Sequence, residues 1–262
     1  MLLTRLKILF SPFRKRWQSP ASMNEEQRDQ LNFFLTQCKV MGETIALSGN
    51  KKFPLTLLIG PSGSGKTRWM EKNQHCYLKK LPECPTQPVP PSLYQPEDTI
   101  KHDYCRWWLT ENHVFLEIPG DWIFYEKETL FQNLLDHLNQ FKSFFVLSTV
   151  LLFFSCESFL PLSMPNFQKQ FLKLTEALKF LRQKVNNTLN QFTIITHLDL
   201  IKGFTEYFSE LKADERKKMF GISFTTQETS ALHLHYSITS IFKEKNQEFI
   251  QHLNHQLSSR LH

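Results

Sequence analysis

Apolar positions along the chain recur with different periods, and the changes between them mark out the elements. Leu2, Leu6, Leu9, Phe13 and Trp17 follow spacings of three and four with basic residues between them, the pattern of an amphipathic helix at an interface. Pro12 kinks or ends it. Residues 20–24 read as a linker, and a helix is predicted over 25–47 with Leu31, Phe34, Leu35, Cys38 and Met41 on one face. From residue 53 the period is lost. An unbroken apolar segment at 55–59 leads into a glycine-rich loop and then a helix-compatible stretch, predicting strand, loop, helix.

Three further short apolar segments, 114–118, 144–154 and 192–196, are predicted strands, each apolar enough to be covered on both faces. Helical patterns fall between them at 126–141 and 166–189. Alternating strands and helices predict an α/β fold with a mostly parallel sheet and helices on both faces. Residues 81–99 hold six of the 13 prolines and read as an irregular excursion. Residues 240–262, with Ile241, Phe242, Phe249, Ile250, Leu253, Leu257 and Leu261, form a terminal amphipathic helix able to cover the sheet or bind a partner. The organisation read from these patterns is a basic segment and linker at 1–24, a central domain at 25–239 and the terminal helix at 240–262.

Composition narrows the class. The chain has 262 residues, 41% hydrophobic and 21% charged, and is long enough to bury its own core. Its net charge is +6, but Arg5, Lys7, Arg14, Lys15 and Arg16 stand in the first 20 residues without an acid, leaving 26 basic against 25 acidic residues. So balanced a body argues against nucleic acid as a partner, whereas the N-terminal segment suits a membrane surface. Five cysteines without CxxC spacing indicate neither a disulfide framework nor zinc, and point to a reducing cytoplasmic compartment. The longest apolar run, 144–154, is too short to span a bilayer. Ten histidines, among them His233, His235, His252, His255 and His262, lack any HExxH or cysteine pairing that would make them ligands. No cluster of nucleophile, base and acid stands out.

The chemistry is concentrated in one loop. Gly60-Pro61-Ser62-Gly63-Ser64-Gly65-Lys66-Thr67 fits G-x-x-x-x-G-K-[ST] in full. Its glycines let backbone N–H groups turn toward a β-phosphate, Lys66 neutralises β and γ oxygens, and Thr67 offers a hydroxyl to Mg²⁺. A carboxylate at a neighbouring strand end is needed for the metal's water shell. Glu117 in Val114-Phe115-Leu116-Glu117-Ile118-Pro119-Gly120 is the candidate, with Asp121 as the alternative and Gly120 placed to meet a γ-phosphate through its N–H. Thr196-His197-Leu198-Asp199 is similar to the [NT]-K-x-D base-reading signature of GTPases, with Asp199 facing the base and His197 in place of lysine. Glu228-Thr229-Ser230-Ala231 is a weaker match to the loop that meets the guanine carbonyl. Trp107 and Trp108 read as packing residues.

Several of these pieces in order resemble one family. Trp107-Trp108-Leu109-Thr110-Glu111-Asn112 running into the 114–120 segment, Thr196-His197-Leu198-Asp199-Leu200-Ile201-Lys202-Gly203-Phe204 with Tyr207-Phe208, and Glu215-Arg216 with Phe220-Gly221-Ile222-Ser223-Phe224 are similar to successive blocks of IcmF/TssM proteins. The resemblance, over about residues 30–225, is to the cytoplasmic nucleotide-binding domain of these inner-membrane components of type VI and type IVB secretion systems. It implies a GTPase-like P-loop NTPase fold, a DotU/TssL-type inner-membrane partner and a place at the cytoplasmic face of the inner membrane. Four positions depart from the family pattern: His102 for Thr, Arg106 for Asp, Glu117 for Asp and His197 for Lys. The expected function is binding of ATP or GTP with Mg²⁺ as a switch or scaffold. Hydrolysis is expected to be slow or absent, because no catalytic Gln, cis arginine finger or switch Thr is evident. The alternatives are an interaction module with a relic loop and, behind it, a small-molecule kinase, which would need a lid with several arginines that residues 81–99 lack.

Overall fold

The computed structural model describes residues 23–47, 52–73, 104–124, 127–159, 164–185, 189–209, 211, 220–224 and 238–260. The N-terminal basic segment up to residue 22, the proline-rich excursion at 81–99, His102, Glu215-Arg216, the 228–231 match, His233, His235 and His262 lie outside them. The chain divides into two compact units, Met1–Leu198 and Asp199–His262.

In the first unit, α1 (Glu25–Leu47) starts on a reciprocal cap. Asn24 Oδ1 accepts from the Gln27 amide at 2.8 Å, and Gln27 Oε1 accepts from the Asn24 amide at 3.2 Å, so two of the otherwise unpaired first-turn donors are satisfied. Then come β1 (Phe53–Ile59), α2 (Lys66–Lys72), β2 (Arg106–Leu109), β3 (Val114–Glu117), α3 (Asp121–Phe124), α4 (Glu128–Gln140), β4 (Phe145–Ser155), α5 (Cys156–Phe159), α6 (Met164–Lys184) and β5 (Asn190–Thr196). The strands form one mixed sheet in the order β2-β3-β1-β4-β5, parallel except for the antiparallel pair β2 and β3. The α/β class and the mostly parallel sheet are thus as the alternation predicts.

Helices lie on both faces. One face of the sheet, with Phe53, Leu55, Leu57, Ile59, Val114 and Leu116, packs against α1, α4 and α6 in the main core. The other face, with Leu58, Phe115, Leu151 and Phe153, packs against Met70 and Trp69 of α2. β4 changes parity between them. Leu55 pairs with Leu147 but Thr56 with Thr149, so Ser148 is an extra residue that moves Val150 and Leu152 onto the main-core face.

Two expectations need correction. The 192–196 segment is not covered on both faces: β5 is an edge strand on which Phe192 and Ile195 are each about half exposed. The second is an unpredicted strand, β2, which carries both tryptophans. Trp107 stacks 5.9 Å from Phe34 in the main core, while Trp108 points to the α2 side, so each indole is packing, as expected. Cys38 and Cys105 are buried free thiols, and burial raises both pKa values, consistent with inert core residues.

Between β1 and β3, Thr56 Oγ1 lies 2.7 Å from His113 Nε2, and burial lowers the His113 pKa. The sign follows. Below the unfolded value of about 6.5 the unfolded chain takes up a proton that the folded chain resists, so stability falls as pH drops from there toward the lowered folded value. His113→Gln should flatten the decline of melting temperature between about pH 7 and pH 5; an unchanged slope would remove His113 as its cause.

The second unit begins within the 3₁₀ turn Leu198–Leu200, at Asp199, and contains α7 (Phe204–Ser209) and α8 (Ile238–Arg260). Phe204, Phe208, Phe220 and Phe249 form a chain of edge-on ring contacts, and Tyr207 Oη donates to Leu253 O at 3.0 Å, pinning α8 to α7. No described helix is long and apolar enough to cross a membrane.

Candidate functional site

β1 is the central strand. The chain leaves it for β2 and β3 on one side and returns to β4 on the other, so strand order reverses at β1 and a crevice opens beyond its carboxyl end. The 60–67 loop occupies that place. Gly63 and Gly65 have φ of 77° and 82°, which side chains with a Cβ resist, and they turn the loop into a cradle. Among the described residues no acceptor is bonded to the backbone N–H of Gly63, Gly65, Lys66 or Thr67. Glycine is required at Gly60 for space, since a Cβ there would stand 2.5 Å from Phe153 O.

Three anchors fix the loop. Ser64 N donates to Pro61 O at 3.2 Å, Thr196 Oγ1 donates to Ser64 O at 2.8 Å, and Ser62 Oγ donates to Asp121 Oδ1 at 3.2 Å. Gly120, in the turn after β3, abuts the Ser62 amide, and its own N–H donates to nothing among the described residues. Loop, Gly120, Asp121 and Glu117 therefore come together as the spacing of motifs implies. Asp199 belongs to the second unit, exposed on the 3₁₀ turn. His197 ends β5 in the left-handed region with φ 56°, and its Nδ1 lies 2.8 Å from Ser155 Oγ at the end of β4.

Lys66 is 5% exposed, and its ammonium donates to Gly60 O at 2.7 Å and Pro61 O at 3.0 Å. Burial pushes its pKa down to about 8, opposed by the carboxylates of Glu117 and Asp121 and assisted by the guanidinium of Arg106. A buried ammonium facing an empty-handed amide cradle is suited to an anion.

The expected metal ligands also meet. Thr67 Oγ1 donates to Glu117 Oε1 at 2.6 Å, and Glu117 Oε2 is buried without a hydrogen-bond partner among the described residues. By type these oxygens suit Mg²⁺. The charge around them does not: Arg106 Nη1 donates to the same Thr67 oxygen at 3.3 Å. The guanidinium opposes a divalent ion about 4 Å away by roughly 8 kcal/mol at an effective dielectric of about 20, which offsets the attraction the Glu117 carboxylate would offer, and it already holds the Thr67 oxygen. The donor set as it stands does not fit Mg²⁺. Arg106 is the residue that reading the sequence missed, visible there only as a departure from a family pattern. Its place beside the loop depends on the β2–β3 pairing, which four residues of sequence do not announce.

The family model for the IcmF-related N-terminal domain matches residues 126–262, just over half of the chain. The chain belongs to the IcmF-related family. This membership makes it a secretion-system component of the type VI and type IVB kind, associated with the subunits of such a complex and with the inner membrane. The match starts after the 60–67 loop, so in this IcmF-related chain any role for the loop rests on its own residues and geometry. Neither curated proteins nor solved structures give a match.

Proposed function

We propose that this IcmF-related chain binds the phosphates of a nucleoside triphosphate, ATP or GTP, and serves as a switch or scaffold in a secretion complex, with a DotU/TssL-type protein as partner. The observation that carries this is the complete 60–67 motif at the carboxyl end of the central strand, with Lys66 buried beside unbonded loop amides. In this reading the unbonded amides of Gly63, Gly65, Lys66 and Thr67 hold the β-phosphate and Lys66 moves from its carbonyl partners to the β and γ oxygens. The Gly120 N–H meets the γ-phosphate, and a base-reading role for Asp199 rests on the Thr196-His197-Leu198-Asp199 match in the sequence alone. Slow or absent turnover belongs to this reading because the sequence offers no clear catalytic Gln or switch Thr. Mg²⁺, the usual escort of a triphosphate, would have to displace Arg106 from the Thr67 oxygen.

One observation favours a scaffold that needs no nucleotide: the Lys66 ammonium is already satisfied by Gly60 O and Pro61 O. Calorimetric titration of the full chain with ATP and with GTP separates the two readings. Micromolar binding of either nucleotide is the expected result, and a preference for GTP would assign Asp199 to the guanine edge. Heat-silent titrations with both, confirmed by an unshifted melting temperature, would leave the scaffold.

A further inference from the structure

Arg106 stands where its position on β2 forces it to stand. In the antiparallel pair β2 and β3, Arg106 and Glu117 are direct partners, and residues directly opposite across such a ladder project to the same face. β2 is held by a tryptophan on each side, Trp107 against Phe34 and Phe145 and Trp108 in the α2-side cluster, so the backbone that carries the arginine is fixed. From there the guanidinium reaches Thr67 Oγ1 at 3.3 Å, while the Thr67 proton goes to Glu117 Oε1 at 2.6 Å. Thr67 takes one of five guanidinium N–H donors, and no other described residue accepts a hydrogen bond from the rest. Glu117 Oε2, buried and unpartnered among the described residues, leaves the carboxylate with an unanswered need for positive charge.

We propose that Arg106 is a tethered cation of the phosphate site, occupying with its guanidinium the place of a divalent ion beside Thr67 and Glu117, so that the loop binds a nucleoside triphosphate without Mg²⁺. The inference rests on the polyphosphate reading of the loop. A planar fork of N–H donors matches phosphate oxygens in pairs, which a lysine ammonium does not. Arg106 and Lys66 then flank the terminal phosphates as two protein-borne cations, and the positive charge that an ion ordinarily supplies is built into the chain. Glu117, opposite Arg106 in the ladder, is linked to it through the Thr67 hydroxyl, which accepts from the guanidinium and donates to the carboxylate.

The test compares ATP and GTP affinity of the full chain by calorimetry in excess EDTA and in millimolar Mg²⁺, for the wild type, Arg106→Ala and Arg106→Lys. The wild type is expected to bind equally well in both buffers. Arg106→Ala is expected to bind about tenfold or more weaker in EDTA, as for loss of a hydrogen bond to a charged group. It should recover in Mg²⁺, since Thr67 and Glu117 are then open to the ion. Arg106→Lys keeps the charge without the fork and should fall between them in EDTA. Wild-type binding that appears in Mg²⁺ and disappears in EDTA would overturn the tethered cation and leave nucleotide binding standing. No binding in either buffer would overturn the polyphosphate reading itself. Should Arg106→Ala fail to fold, the wild-type comparison of the two buffers and the Lys variant still decide.

Discussion

Lys66→Ala is expected to bind ATP and GTP at least about thirtyfold more weakly than the wild type and yet to lose at most about 3 kcal/mol of stability. The first half follows from desolvation. An ammonium 5% exposed meets phosphate where little water competes, and truncating one partner of such a buried charge pair costs roughly 2 to 5 kcal/mol. The second half follows from the pKa. Between the folded value of about 8 and the ordinary value of 10.5, the unfolded chain holds a proton that the folded chain has released, so stability rises with pH across that window. Below pH 8 the folded protein carries the whole burden of a charged, buried lysine, about 3 kcal/mol at about 1.4 kcal/mol per unit. Alanine removes that burden and forfeits the bonds to Gly60 O and Pro61 O, each worth about 1.5 to 3 kcal/mol, so the net loss is at most about 3 kcal/mol. Calorimetry and a thermal melt on the same preparation check both halves. Wild-type affinity in the variant would mean that the loop does not hold phosphate through Lys66, and a steep drop in melting temperature would mean that the lysine is there for stability.

Gly120→Ala should be the most damaging small substitution near the site. A Cβ on Gly120 would stand 2.3 Å from the Ser62 amide nitrogen and 2.7 Å from the Pro61 carbonyl carbon. Both are backbone atoms of the loop, so no side chain can rotate away, and either the loop or the turn after β3 has to move. Overpacking of this kind costs about 1 to 3 kcal/mol, a fall in melting temperature of roughly 3 to 10 °C for a chain of this size. The displaced loop should also lose its nucleotide affinity. Gly42→Ala provides the contrast. Its Cβ would approach the Phe144 ring at 2.9 Å, a side chain able to give way, and binding should survive. A Gly120→Ala protein that melts and binds as the wild type does would show that the turn and the loop are not in contact in solution.

What could be read from the residues alone was the part that each stretch carries within itself. The 55–67 stretch announced strand and loop because its chemistry needs those residue types in that order, and the structure places them so. Glu117 and Gly120 were legible for the same reason. β2 was not, since Arg106–Leu109 is too short for a period to show and its two tryptophans serve opposite faces. The continuous apolar run of β4 hid the parity change at Ser148, because a strand buried on both sides shows no alternation for a bulge to interrupt. The place of Arg106 beside Thr67 arises from pairing between segments 39 residues apart, and no local pattern encodes it.

The open edge of the sheet bears on how the protein behaves in concentrated solution. β5 reads Asn-Gln-Phe-Thr-Ile-Ile-Thr, with neither proline nor charge in its seven residues, and it carries half-exposed Phe192 and Ile195 beside a row of backbone groups that no strand among the described residues pairs. Such a rim is a template onto which another strand can zip, and it lacks the gatekeeping lysine or proline that ordinarily discourages this. Colloidal behaviour is then set by how well β5 is shielded rather than by the net charge of +6, much of which sits in the first 20 residues. A single charge introduced on that strand is the natural handle for keeping the protein dispersed.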